Sequence, residues 1–383
     1  MKLPSLIKMM QQLIAAPSVS SVNPQWDQSN RQVVEMLDQW CGTLGFRTEV
    51  LPVPGHANKF NLIATLGEGP EGLVLSGHTD TVPFDEALWQ TSPFELEERG
   101  GRLYGLGTSD MKGFFAVALT AVARMALSPH SLRQPLVLLA TADEESTMCG
   151  ARALVDYGRR LGRHALIGEP TGLRPVRMHK GIAMESIRLT GRSGHSSDPR
   201  LGNNALEGMQ ALMGELLAWR SAWQDRHHNP LFEVDTPTLN LGHIHGGDNP
   251  NRICGECELQ FDLRPLPGMA LKELRAELDA RLRPLAEGRG LKYKRSSLFP
   301  GIPAMETPAE AAIVKSVETL TQHPAEAVAF GTEGPYLNEL GMQTVVLGPG
   351  DIEQAHQPDE YLALERIDPM IDLLNRLIQE HCL

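Results

Sequence analysis

Short apolar runs alternate with amphipathic stretches along the first half of the chain. Short runs bounded by turn residues are typical of buried strands, whereas apolar residues spaced three or four positions apart are typical of helices. The predicted strands are 48–53, 61–66, 73–76, 136–141 and 165–168, and the predicted helices are 4–15, 28–44 with Asp27 as its N-cap, and 112–127. This alternation predicts an α/β sheet with helices on both faces.

The pattern changes near residue 180. The next segment is typical of an α+β unit with about four strands and two helices, after which the α/β pattern returns. The predicted strands of the unit include 183–190, 238–245 and 252–264, its helices are 203–223 and 271–285, and the returning elements are 308–320, 344–347 and 369–381. We therefore predict a discontinuous first domain, residues 1–180 and 294–383, with a second domain inserted at residues 181–293.

Composition limits the choice of partner. The chain has 383 residues and a formal net charge of −12, which argues against nucleic acid or an anionic membrane because both attract basic surfaces. No apolar run approaches the roughly 20 residues of a membrane span, and Lys8, Gln11 and Gln12 interrupt the N-terminal apolar segment, unlike a secretory signal. The five sparse cysteines do not form a disulfide framework. We expect a cytoplasmic protein with a small-molecule partner.

Two motifs contain pairs of residues that often bind metals. Cys254 and Cys257 form a Cys-x-x-Cys, but the alternating pattern around them predicts a strand on which they face opposite sides, and no second cysteine pair accompanies them. His243 and His245 share a strand face without neighbouring carboxylates. We interpret both motifs as structural.

Side chains with metal-binding chemistry follow several of the predicted strands. His78 and Asp80 come directly after strand 73–76, and residues two apart on an extended chain point to the same side, so the carboxylate can orient the imidazole of a metal ligand. The other candidates are Asp110 before helix 112–127, Glu144 and Glu145 after strand 136–141, Glu169 after strand 165–168, and His356 after the turn at 348–350.

Taken singly, each candidate has an ordinary structural interpretation. Asp110 has the position of a helix N-cap, and adjacent acids such as Glu144 and Glu145 are normally solvated. Taken together, the candidates converge on one edge of a sheet, where ligands bind in α/β proteins. A mixed set of imidazoles and carboxylates suits one or two zinc-like ions.

The order of these motifs resembles the dinuclear zinc aminoacylase and carboxypeptidase family. The motifs are His78-x-Asp80, Asp110 in Ser-Asp-Met-Lys-Gly, Glu144-Glu145, Glu169 in Gly-Glu-Pro-Thr, and His356. The resemblance covers the whole chain. It implies a mixed-sheet, zinc-peptidase-like catalytic domain with an inserted dimerisation or lid domain, a homodimer, and two divalent metal ions, zinc in the first place and cobalt or manganese as alternatives.

The resemblance also implies a role for each candidate. The implied metal ligands are His78 and Glu169 for one ion, Glu145 and His356 for the other, and Asp110, ahead of a cis peptide to Met111, as the bridge between them. Asp80 is implied to orient His78. Glu144 is implied to be the general base that takes a proton from water and returns it to the leaving amine.

The inserted domain carries a further signal at His195, in Gly-His-Ser-Ser-Asp-Pro. By itself this segment is typical of a Ser-rich turn. The resemblance implies that His195 is an oxyanion donor, often supplied by the neighbouring subunit of a dimer.

Segments such as 179–181, 239–247 and 264–269 resemble family members that hydrolyse N2-acetyl-L-ornithine in arginine synthesis. For such a substrate, Arg252 and Arg264 are candidates for the carboxylate, with surface arginines as the alternative, and Glu333 is the candidate for the amine. The alternatives are N-succinyl-diaminopimelate, another N-acyl amino acid or a dipeptide as the substrate, or a catalytically inactive binding relative.

Overall fold

The computed structural model describes residues 2–383, which divide into two compact units. Unit 1 consists of the described residues up to Arg177 together with Thr307–Glu326 and Thr332–Leu383. Unit 2 consists of Met178–Glu306 and Ala327–Gly331. Within residues 2–383, no helix is both long and apolar enough to span a bilayer.

The chain first builds most of unit 1. Its elements are α1 (Leu6–Ile14), α2 (Arg31–Thr43), β1 (Arg47–Pro52), β2 (Phe60–Leu66), β3 (Leu73–His78), β4 (Glu97–Arg99), β5 (Arg102–Tyr104), α3 (Lys112–Met125), β6 (Leu136–Thr141), α4 (Cys149–Tyr157), β7 (His164–Ile167) and β8 (Val176–His179). The following elements are β9 (Ala183–Thr190), α5 (Ala205–Arg226), β10 (Thr238–Gly246), β11 (Glu256–Arg264), α6 (Leu271–Glu287), β12 (Lys292–Ser297) and β13 (Met305–Glu306). The last are α7 (Ala312–Thr321), β14 (Glu326–Val328), α8 (Gly334–Glu339), β15 (Gln343–Val346), β16 (Tyr361–Ala363) and α9 (Ile367–Cys382).

The main sheet of unit 1 is mixed. Strands β6, β3, β7 and β15 are neighbours and run parallel, whereas β2 pairs antiparallel with β6, and β1 pairs antiparallel with β2. Every residue of β3 and β6 is buried, which explains the apolar runs 73–75 and 136–140 in the sequence. The core beside them takes side chains from α1, α2, α3, α7 and α9, with Phe114 and Phe115 of α3 among them. The predicted α/β class with a mixed sheet is confirmed.

Unit 2 contains an antiparallel four-stranded sheet in the order β10-β11-β9-β12. Buried and less buried residues alternate along β11, and its buried side chains pack with those of α5 and α6. Trp219 and Trp223 of α5 stack in this core with ring centroids 4.9 Å apart. The α+β composition therefore agrees with the pattern of the inserted segment.

Two predicted boundaries are wrong. The predicted end of the inserted domain, residue 293, falls inside β12, which pairs with β9 and belongs to unit 2. Helix α2 begins after Asn30 rather than after Asp27. Asp27 instead accepts a hydrogen bond from Lys59 at 2.7 Å, because the side chain of this lysine is only 3% exposed and its charge needs a carboxylate partner.

The Cys-x-x-Cys motif also differs from its prediction. Strand β11 begins at Glu256, so Cys254 lies before the strand and not on it. Both Cys254 and Cys257 are free thiols buried in the apolar core of unit 2. The geometric argument for opposite faces is therefore wrong, whereas the structural interpretation of the motif agrees with their burial.

Candidate metal centre

The carboxyl ends of three parallel strands bring the first candidates together. His78 is the last residue of β3, and Glu144 and Glu169 follow β6 and β7, the two strands that flank β3. Because these strands run parallel, their ends meet at one edge of the sheet. The prediction that these side chains share one edge agrees with this topology.

Asp110 lies between two imidazoles. Its Oδ1 is 3.1 Å from Nε2 of His78, and its Oδ2 is 3.6 Å from Nε2 of His356. The peptide bond from Asp110 to Met111 is cis, as the resemblance implied. The N-cap of α3 is Met111, so the alternative interpretation of Asp110 as the N-cap is wrong.

Two further carboxylates complete two groups of potential ligands. Oε1 of Glu169 is 3.6 Å from Nε2 of His78, and Oε2 of Glu145 is 3.0 Å from Nε2 of His356. The ligand atoms of each group lie within 4.8 Å of one another, and Asp110 belongs to both groups. Each group thus offers one imidazole, one carboxylate of its own and one shared carboxylate, which is a donor set that zinc accepts.

Burial and mutual repulsion dominate the electrostatics of the acidic residues. Burial raises the pKa of Glu144 well above its usual value, and the charges of Glu169 and Glu145 raise it further. Burial also raises the pKa of Glu169 to about 8, against the opposing effect of His78. For Asp110 burial acts in the same direction, yet the hydrogen bond and charge of His78 bring the pKa below its usual value.

Burial and the neighbouring carboxylates act in opposite directions on the pKa values of the two imidazoles. Burial lowers the pKa of His78, but the charge of Glu169 and the hydrogen bond with Asp110 outweigh burial and raise the pKa well above its usual value. The hydrogen bond with Glu145 raises the pKa of His356 to about 9. Excess negative charge therefore surrounds both rings, and a cation would relieve it.

The hydrogen bonding of Glu145 and His78 shows whether metal ions fit this centre. Oε1 of Glu145 is buried without a hydrogen-bond partner, and such an atom is costly unless a cation or a donor meets it. Nδ1 of His78 lies 3.1 Å from the backbone carbonyl oxygen of Asp80, which can only accept, so Nδ1 donates. The lone pair of a neutral His78 then lies on Nε2, the atom that faces Asp110 and Glu169. These residues fit a divalent metal centre.

Asp80 supports this centre in a way that its spacing did not predict. Its Oδ2 accepts a hydrogen bond from the backbone N–H of Glu145 at 3.1 Å, whereas its Oδ1 lies 3.8 Å from Nδ1 of His78. Asp80 thus contacts the backbone of one ligand and lies beside the ring of another. The orientation of the His78 ring by the carboxylate of Asp80 remains a prediction.

Glu333 lies in unit 1 and is only 1% exposed. Its two carboxylate oxygens accept hydrogen bonds from Ser76 at 2.5 Å and from Thr141 at 2.6 Å. These hydroxyls belong to β3 and β6, so Glu333 is bonded to the strands that carry the centre. A contact between Glu333 and a substrate amine stays a prediction.

The remaining candidates belong to unit 2. His195 and Arg252 form an antiparallel bridge, so the structure brings these two together. The Nδ1 atom of His195 is 2.7 Å from the hydroxyl of Ser197, and Arg252 pairs with Asp248 at 2.7 Å. Arg264 lies on β11 and donates to the neighbouring Asp262 at 2.9 Å.

Sequence reasoning missed several buried charged residues near the centre, among them Lys59 and Glu360. Lys59 donates to Asp143, the residue before Glu144, at 2.6 Å, and Glu360 accepts hydrogen bonds from the loop that carries Asp110. The only available signal for Glu360 was its place shortly after His356 in the chain.

His56, Asp143 and Cys149 also lie close enough to hold a metal ion. The ammonium group of Lys59 already pairs with Asp143, and burial raises the pKa of the Cys149 thiol to about 12. A metal needs the thiolate, so we assign no metal to this group. His243 and His245 lie on the exposed part of β10 and belong to no group of three potential ligands among residues 2–383.

Comparison with known proteins agrees with this centre. Residues 74–380 match the family model described as peptidase family M20/M25/M40. The chain belongs to this family. The acetylornithine deacetylases of Pasteurella multocida strain Pm70 and Edwardsiella ictaluri strain 93-146 are each 50% identical to it over 381 residues, which cover 100% of this chain and 99% of each relative.

The fold recurs in a solved structure of the M20 family. The metallo-carboxypeptidase Sso-CP2 from Sulfolobus solfataricus superposes with a TM-score of 0.75 at 16% identity, covering 98% of this chain and 99% of the other. Membership of the M20/M25/M40 family confirms the resemblance inferred from the motifs. It also confirms that the chain is a metal-dependent hydrolase.

Proposed function

We propose that the chain hydrolyses the amide bond of N2-acetyl-L-ornithine, releasing L-ornithine and acetate for arginine synthesis. The observation that carries the choice of substrate is the 50% identity, over the full length of the chain, to relatives named acetylornithine deacetylase. The chemistry is supported independently by the two ligand groups that share Asp110.

Two divalent ions, zinc in the first place, would be held by these groups. His78 and Glu169 would hold one ion, Glu145 and His356 would hold the other, and Asp110, which belongs to both groups, would serve both. When bound, such ions lower the pKa of water and polarise the carbonyl group of an amide. Cobalt and manganese suit a carboxylate-rich donor set as well, so the choice of metal rests on availability.

Glu144 moves the proton in this proposal. Its burial and its acidic neighbours raise its pKa, so its carboxylate is a stronger base than a solvated glutamate. Glu144 takes a proton from the attacking water and gives it to the nitrogen of the leaving ornithine. Asp80 would steady Glu145 through the hydrogen bond to its backbone N–H and would orient His78, whose Nδ1 lies 3.8 Å from Oδ1 of Asp80.

Three residues of unit 2 keep their predicted substrate roles in this proposal, and the dimer would form through this unit. His195 donates a hydrogen bond to the developing oxyanion, and Arg252 or Arg264 pairs with the ornithine carboxylate. Glu333 is the candidate for the amine. Strand β10 lies at the edge of its sheet and leaves Ile244 47% exposed, which supports a homodimer through unit 2 because free strand edges pair readily.

A cytoplasmic location is part of the proposal. The five cysteines are free and buried, as expected for a protein that folds in a reducing compartment.

Steady-state kinetics on a panel of acylated amino acids tests the proposed substrate. After chelation the chain is inactive, and return of zinc restores hydrolysis of N2-acetylornithine. The panel includes N-succinyl-diaminopimelate, other N-acyl amino acids and dipeptides. A preference of more than about tenfold in kcat/KM for one of these corresponds to more than about 1.4 kcal/mol and would overturn the choice of substrate. No hydrolysis of any of them would favour an inactive binding relative.

Light scattering and a mixing experiment test the dimer. The His195→Ala and Glu144→Ala variants are each inactive in this proposal. If His195 serves the neighbouring site, mixed dimers contain one site with both residues, and mixing restores activity. A monomer in solution, or no restoration on mixing, contradicts the contribution of His195 across a dimer.

A further inference from the structure

Glu360 is a buried carboxylate outside the two ligand groups, and its side chain holds the loop that ends at Asp110. It is 1% exposed. Its Oε1 accepts hydrogen bonds from the backbone N–H groups of Ser109 at 2.7 Å and Asp110 at 2.9 Å, and its Oε2 accepts one from Gly107 at 2.9 Å. The backbone carbonyl of Glu360 accepts a fourth from Gly105 at 3.0 Å. One residue thus satisfies four N–H groups of this loop.

The loop needs such an anchor because two of its residues are glycines with positive φ. Gly105 has φ 148° and Gly107 has φ 90°. Glycine restricts the backbone little, so contacts from outside the loop must select one conformation. A carboxylate is a strong acceptor for this purpose, since hydrogen bonds to a charged group are shorter and stronger than neutral ones.

A buried base lies near Glu360. Lys112 follows the loop at the start of α3 and is fully buried, so burial lowers its pKa to about 7, while the negative charge of Glu360 acts in the opposite direction. Burial and the charge of Asp110 raise the pKa of Glu360, and its hydrogen bonds with the backbone N–H groups of the loop act against this rise. The ammonium group of Lys112 also donates to the backbone carbonyl of Ala16 at 3.0 Å. An acid and a base buried near each other offset part of the cost of removing each from water.

We propose that Glu360 is a positioning residue that aims the carboxylate of Asp110 at both metal sites. The inference rests on the proposed function, because it assigns the role relative to two bound metals. Glu360 bonds to the backbone N–H of Asp110, and the two oxygens of Asp110 face His78 and His356. Since Asp110 is common to both groups, loosening its backbone weakens both sites together.

Metal titration of the chelated chain tests this role with a readout other than activity. In Glu360→Gln an amide nitrogen replaces one carboxylate oxygen, so a donor faces a backbone donor and at least one hydrogen bond is lost. We expect the dissociation constants for both zinc equivalents to rise about 10 to 100-fold, as for other residues that orient metal ligands. We also expect kcat to fall while KM changes little.

Two further variants separate positioning from general stability. Glu360→Asp keeps the charge but is one methylene shorter, so its zinc affinity falls between those of Glu360→Gln and the wild type, and it carries the test if Glu360→Gln does not fold. Val317→Ala creates a cavity in α7, where Val317 is fully buried, and lowers stability without changing zinc affinity.

The possible results are distinct. Wild-type zinc affinity in Glu360→Gln, or an equal loss of affinity in Val317→Ala at equal stability, would overturn the positioning role. Both results leave the proposed function intact. A wild-type chain that binds no zinc would instead defeat the proposed function itself.

Discussion

Both units bury acidic side chains, but they neutralise them differently. In unit 2, Glu185 is fully buried and pairs with Arg275 and Arg295, each at 2.7 Å. In unit 1, the carboxylates of the metal centre face one another and the imidazoles of His78 and His356. A guanidinium keeps its charge at every physiological pH, whereas an imidazole that binds a metal must be neutral.

The difference shows how a binding site is distinguished from a structural ion pair. The cluster in unit 2 is complete, because arginines and the hydroxyl of Ser297 meet both oxygens of Glu185. The cluster in unit 1 keeps a surplus of negative charge and a buried oxygen of Glu145 without a partner. We infer that the surplus is retained because metal ions neutralise it.

The largest expected effect comes from a carboxylate of unit 1 that is not a ligand. Glu144→Gln removes the base while the five ligand side chains stay in place. We expect kcat to fall about 10²–10⁴-fold with unchanged zinc content, because general base catalysis contributes about that factor. Steady-state rates and metal analysis on the same sample measure both quantities. A kcat near that of the wild type would remove Glu144 from the mechanism.

The matching change in unit 2 should act on stability. Glu185→Gln leaves two arginines without their carboxylate, and breaking a buried ion pair costs about 3–5 kcal/mol. Urea unfolding measures this loss, and added zinc should not restore it. The control is Glu277→Gln, which removes the partially exposed pair with Arg281 and should cost about 0–1 kcal/mol. Equal losses of stability in both variants would show that the buried ion pairs of Glu185 contribute no more than a partially exposed pair.

Zinc should stabilise unit 1 through the shared ligand. A metal that binds the native state alone raises the free energy of unfolding by about 4 kcal/mol when its free concentration is 1,000 times Kd. Thermal unfolding of the chelated chain with and without zinc measures this gain. In Asp110→Asn most of the gain should disappear, since both ligand groups lose a charged donor. A full gain in this variant would contradict the sharing of Asp110.

The smallest expected effect concerns Asp80, which supports ligands without belonging to either group. Asp80→Ala should lower zinc affinity or kcat/KM about 10 to 100-fold. Since Asp80 accepts the N–H of Glu145, we expect the site of Glu145 and His356 to weaken as well as that of His78. Sequential zinc titration resolves the two sites. An unchanged enzyme would reduce Asp80 to an ordinary buried residue.

The sequence predicted those elements in which burial produces a clear pattern of apolar and polar residues. The predicted bounds of β6 and β9 agree with the structure, because β6 is apolar up to its last residue, Thr141, and β9 alternates. Strand β12 was not predicted, since Tyr293 is its one buried residue and the others are polar. This missed strand explains the wrong boundary at residue 293.

The same distinction applies to the site, where some residues were predictable from the sequence and others were not. The resemblance supplied the five candidate ligands, and the strand pattern explains the placing of three, because His78, Glu145 and Glu169 lie at or just after the ends of parallel strands. The role of Glu360 was not predictable, because Ser109 and Asp110 lie about 250 positions away in the chain and bond to it through backbone N–H groups. Backbone donors carry no residue identity that a sequence could reveal.

The most direct test counts metals per chain. The chain is chelated, dialysed and titrated with zinc, and the bound metal is measured by mass spectrometry alongside calorimetry. A centre with two ligand groups predicts two tight equivalents in the wild type, and the loss of both in Asp110→Asn. Fewer than two equivalents in the wild type, or two tight equivalents retained in Asp110→Asn, would contradict a dinuclear centre bridged by Asp110.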